Sequence, residues 1–150
     1  MFVTPELFSE LKEHYSKIEQ GDFIGLNEKV KLIIQNLNKI DGVVVVSCEI
    51  PNWNETKPYY DETRSAIIGF VLAITGQSPA KTVSDINQKI YKGLSHAHFG
   101  YYRIIEFKGQ SLPTFQLWYN FWDKDQNEFE NKLNRYIESL RVATESINEI

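Results

Sequence analysis

Cysteine and methionine each occur once in the 150 residues, and proline five times. A single cysteine, Cys48, excludes an intrachain disulfide, so stability has to come from an apolar core. The supply is sufficient: 42% of the chain is hydrophobic and 13% aromatic, in the ordinary size range for one domain covering residues 1–150. The longest apolar runs, around Val43 to Val46 and Ala66 to Ile74, are strand-sized. A membrane helix needs roughly 20 apolar residues, so no span is expected. Met1 to Glu6 carries no basic segment ahead of an apolar run, and the chain reads as cytoplasmic.

Positive charge is also in deficit. The net charge of −4 argues against a duplex nucleic-acid binder, which needs a basic face to displace counterions from phosphates, and favours a basic or neutral protein partner. There is no phosphate-cradling glycine loop, no Gly-x-Ser-x-Gly elbow and no paired-cysteine metal motif. No cofactor is implied.

What the chain does contain is periodic. Thr4 as N-cap and Pro5 at the first helical position open a helix with Leu7, Phe8, Leu11, Tyr15 and Ile18 on one side. Gly21, Asp22 and Gly25 break it, and Leu26, Val30, Ile33, Ile34, Leu37 and Ile40 mark a second helix closed by Asp41-Gly42. Val43 to Ile50 and Ala66 to Thr75 predict two strands, because β-branched side chains pack well on a pleated surface. Ser78-Pro79 starts a third helix reaching about Gly93. Tyr101 to Lys108 and Thr114 to Trp122 predict a hairpin joined by residues 109–113. Asp123 followed by Gln126 reads as the capping box of a last helix carrying Phe129, Leu133, Tyr136, Ile137 and Leu140. The expectation is an α+β fold with a mainly antiparallel four-stranded sheet and helices packed on it, in the order α-α-β-β-α-β-β-α.

Alternation splits the first strand into Val44, Val46, Cys48 and Ile50 against Val43, Val45, Ser47 and Glu49. The second splits into Ile68, Phe70, Leu72 and Ile74 against Ile67, Gly69, Val71 and Ala73. Both faces are largely apolar, so helices, or helices and a second subunit, are expected to cover them. Cys48 lies within such a run and reads as a buried, inert thiol.

Three patterns bear on chemistry. His96-Ala97-His98 would place two imidazoles on one side of an extended chain, but no third ligand lies near and no metal site is assigned. Glu106-Phe107-Lys108 resembles the Glu-x-Lys strand element of one large class of metal-dependent nucleases. The acidic residue which that resemblance requires upstream is missing between Ile86 and Ile105. Aromatic display is the third: Trp53, Tyr59 and Tyr60 stand with Glu55, Asp61 and Glu62, while Trp118 and Trp122 share a strand row with Gln116 and Asn120. Rings beside acids are common at interfaces, since rings bury much area for little entropy.

The function expected is a small protein-binding or inhibitory protein with an acidic, aromatic surface, of the general kind that includes toxin-neutralising immunity proteins and acidic secretion chaperones. A non-catalytic role is favoured over an enzymatic one, which stays open. An alternative is a small enzyme or ligand-binding protein with a dispersed site, for instance Tyr101, Arg103, Glu106 and His98. Another is a structural homo-oligomer, such as a homodimer, built on the last helix and the small-residue sheet face.

Overall fold

The computed structural model describes residues 4–17, 20–54, 64–72, 81, 84–86, 88 and 97–147, of which 97–103 and 146–147 are described by backbone alone. Four helices pack on a five-stranded, mostly antiparallel, strongly curled sheet, an α+β half-barrel. No described helix is long and apolar enough to cross a membrane.

Helix α1, Pro5–Tyr15, starts where its cap requires: Thr4 Oγ1 accepts the Leu7 N–H at 3.1 Å. Helix α2, Glu28–Asn38, is capped likewise by Asn27, whose Oδ1 accepts the Val30 N–H at 2.9 Å. Between them lies the first departure from expectation. Asp22–Ile24 forms a strand, β1, parallel to β2, Val43–Glu49, so the sheet has five strands and is mixed. The element order is therefore α-β-α-β-β-α-β-β-α. Gly25 ends β1 at φ 75°, and a Cβ there would stand 2.4 Å from the Ile50 carbonyl oxygen, so the two backbones meet only because this residue is glycine.

Strand β3, Arg64–Leu72, pairs antiparallel with β2. The chain then passes through helical residues 81, 84–86 and 88, α3, to β4, Ala97–Phe107, and β5, Gln110–Phe121. The sheet order is β1-β2-β3-β5-β4, so β5 inserts between β3 and β4. The hairpin is tighter than the expected connection over 109–113. Its turn is Lys108-Gly109, both at positive φ (49° and 78°), the two-residue form whose twist matches the flanking strands. Pro113 sits inside β5, beyond the last residue paired with β3, where a missing donor costs little.

Helix α4, Gln126–Ile147, begins two residues later than an Asp123 cap would place it. Asp125 is the residue that accepts the Glu128 N–H, at 3.1 Å. Asp123, its side chain 5% exposed, instead holds Lys132 at 2.7 Å.

The core has two parts. On one side of the sheet Ala66, Ile68, Phe70, Leu117, Tyr119 and Phe121 meet Ile33 and Leu37 of α2, Phe129, Tyr136 and Leu140 of α4, and Ile86. On the other, Phe8 and Leu11 of α1 cover Val44, Val46, Val71 and Leu112. The row expected to unite Val44, Val46, Cys48 and Ile50 is thus broken: Val43, Val45, Cys48 and Ile50 face the larger core, while Val44 and Val46 face α1. A register shift between Val45 and Ser47 is the cause, because one extra residue reverses the alternation that follows it.

Candidate interaction surface

The face of the sheet that carries α1 divides in two. Near α1 it is apolar and closed. Farther along the strands Ser47, Glu49, Ser65, Ile67, Gln116, Trp118 and Asn120 alternate with buried neighbours and are each partly exposed. Trp122, next in that alternation, is 51% exposed, and Ile24 on β1 is 49% exposed. Among the described residues, the helices α2, α3 and α4 contribute to the opposite core, and α1 to the closed half.

Register places these residues in rows across the whole sheet. Ile24 pairs with Glu49, Glu49 with Ile67, Ile67 with Trp118 and Trp118 with His98. The adjacent row runs Asp22, Ser47, Gly69, Gln116, Gly100. A Cβ at Gly69 would lie 2.2 Å from Ser47 Oγ, so the missing side chain makes room for that hydroxyl. One strand pair away, the Ser65 hydroxyl donates to Asn120 Oδ1 at 2.7 Å, tying β3 to β5. Apart from His98, the charged or titratable members of these rows are Asp22 and Glu49, both acidic. The surface therefore combines apolar area, amide and hydroxyl groups, and negative charge.

Of the aromatic and acidic residues singled out by sequence, Trp118 and Trp122 lie on this surface. Trp53 lies elsewhere, half-buried, its ring 3.8 Å from the Arg64 guanidinium carbon and 5.8 Å from the Phe129 ring, centre to centre. It packs against the larger core. Glu55, Tyr59, Tyr60, Asp61 and Glu62 fall outside the described residues, as do Ile18 and His96. Sequence reasoning missed Asp22, Ile24, Ser65 and Ile67 as companions of the tryptophans. Their signal is parity on strands whose pairing joins residues about 25 positions apart for Asp22 and Ile24 and more than 50 for Ser65 and Ile67, and for Asp22 and Ile24 the strand itself was not foreseen.

The backbone strings the dispersed set His98, Tyr101, Arg103 and Glu106 along a single strand, β4. His98 and Glu106, eight residues apart on it, are separated by about 27 Å at the rise of an extended chain. The Glu106-x-Lys108 pattern is not a strand pair either. Lys108 leaves the strand at the turn and forms a 2.8 Å ion pair with Glu10 on α1. No group of three or more His, Cys, Asp or Glu positioned for a metal occurs among the described residues. Cys48 is 1% exposed, and burial, with the neighbouring Glu49 carboxylate adding to it, pushes its thiol up to about 12. A thiol so placed stays protonated and unreactive at neutral pH. No protein-family model, curated protein or solved structure matches the chain.

Proposed function

We propose that the chain is a small protein-binding or inhibitory protein and that its partner docks on the open half of the sheet around Trp118 and Trp122. The observation carrying this reading is Trp122, a large ring half-exposed in line with Trp118, Asn120 and Gln116. Leaving a tryptophan in water forfeits its burial energy, and interface hot spots are enriched in that residue. Asp22 and Glu49 in the same rows, with a net charge of −4, favour a basic partner patch.

The test is co-purification from the native host, with light scattering to establish stoichiometry. Trp122→Ala is expected to weaken the complex by at least about 2 kcal/mol, the threshold of a hot spot. Unfolding of the isolated protein should change by no more than about 0.5 kcal/mol, as for a surface substitution. Failure to recover any stoichiometric macromolecular partner, or a complex indifferent to Trp122→Ala, would count against the reading.

A further inference from the structure

Helix α1 shows how this face of the sheet can be covered. Phe8 and Leu11, with Tyr15 on the same side of the helix, close over Val44, Val46, Val71 and Leu112. Beyond α1 the face continues as the open surface, and at its centre Ser47, Glu49, Ile67, Gly69, Gln116 and Trp118 each have a register partner on both neighbouring strands. Their backbone hydrogen bonds are therefore directed within the sheet. A partner segment laid on them finds no backbone groups there to pair with. It has to satisfy its own N–H and C=O groups, which a single helix does internally and a single extended segment does not.

Size and charge agree with a helix of basic flank. From Gln116 to Trp122 a strand covers about 20 Å, and the intervals from β1 to β4 together cover about 19 Å. A helix of about 13 residues has that length. Asp22 is exposed next to Ile24, and Glu49 is the register partner of Ile24, so the side of the surface formed by β1 and β2 is negative. A second copy of the chain is a poorer occupant. A two-fold axis along the strands would bring the two α1 helices together, and one across the strands would set Asp22 and Glu49 over their own equivalents.

We infer that the partner lays one amphipathic α-helix on the open half of the sheet beside α1, with apolar residues at i, i+3, i+4 and i+7 over Ile67, Trp118 and Trp122 and with lysine or arginine on the flank nearest Asp22 and Glu49. This depends on the surface proposed above being where the partner docks, and it adds what the partner presents there.

The experiment uses the whole chain and a synthetic peptide of about 14 residues, with leucine at i, i+3, i+4 and i+7 and lysine and alanine elsewhere. It follows the indole N–H resonances of the three tryptophans. Those of Trp118 and Trp122 should shift saturably, and that of Trp53, which packs against the larger core, should not. A counterpart with proline at its centre, and one with glutamate in place of lysine, should bind at least about tenfold more weakly, a ratio equivalent to about 1.4 kcal/mol. Asp22→Asn/Glu49→Gln, with amide dispersion showing it folded, should weaken the lysine peptide and leave an uncharged glutamine version unchanged. If that variant unfolds, the glutamate peptide carries the same test of charge. No saturable shift at Trp118 and Trp122, or equal binding of the proline or glutamate peptide, would overturn the inference. So would a host partner that requires Trp122 yet is not displaced by the lysine peptide, a result that leaves the docking surface itself standing. Indifference of both host partner and peptide to Trp122→Ala would overturn the helix and the docking surface together.

Discussion

Cys48 shows how far one residue can be read from its neighbours. A lone cysteine in a run of valines is expected inside, and it is, with its thiol held protonated by burial. Iodoacetamide at pH 8 should therefore leave the folded protein unmodified and alkylate Cys48 once urea unfolds it; mass spectrometry before and after denaturation checks this. Trp53 and Trp122 are the counter-case. As isolated letters they look equivalent, yet one lies against Arg64 and Phe129 and the other stands half in water. Asp123 and Asp125 divide in the same way, the first holding Lys132 and the second capping α4. Two candidate caps separated by a single residue cannot be told apart until the entry of the chain into the helix is known.

At the scale of the element, α1 is lightly held. It has 11 residues, below the length at which an isolated helix persists in water, and buries Phe8 and Leu11. Lys12 Nζ adds a hydrogen bond to the Ile40 carbonyl oxygen at 3.0 Å, and Lys108 adds the ion pair with Glu10. Leu11 is fully buried, and Leu11→Ala should cost about 2–5 kcal/mol, the usual range for such a truncation. The loss should fall on this helix first. Hydrogen exchange should show α1 amides of the variant losing protection while those of α2 and α4 keep theirs; uniform loss would mean that α1 does not open on its own. The bulge in β2 is the other feature of this scale. Four consecutive valines satisfy either register, so the pattern cannot show where the alternation reverses, and only pairing with β3 decides it.

At the scale of the whole molecule, three protonated groups sit in the core. Burial raises Cys48, Tyr119 and Tyr136 above their ordinary values of 9.0 for the thiol and 10.0 for the phenols. Each holds its proton more tightly folded than unfolded. Their contribution to stability is fully present below the ordinary values and is lost as pH rises through them toward the folded ones. Lys12, lowered by desolvation, acts in the opposite direction but is only part-buried. The urea midpoint should therefore stay level between pH 7 and pH 8.5 and fall from about pH 9, each group contributing at most about 1.4 kcal/mol per pH unit. A midpoint unchanged at pH 10.5 would show that these groups gain solvent access in the native state.

Composition and periodicity by themselves determined the α+β class, the two N-terminal helices with the cap of the first, the long strands and the helical stripe of α4, because each rests on contacts between residues close in the chain. Tertiary structure alone decided the rest. The three residues of β1 are strand only because β2 pairs with them, Cys48 faces away from Val46 only because β3 fixes the register, and Ile67 meets Trp118 only because β5 enters between β3 and β4. Such pairings join residues distant in sequence, and neither local preference nor spacing carries information about which distant strand will supply the hydrogen bonds.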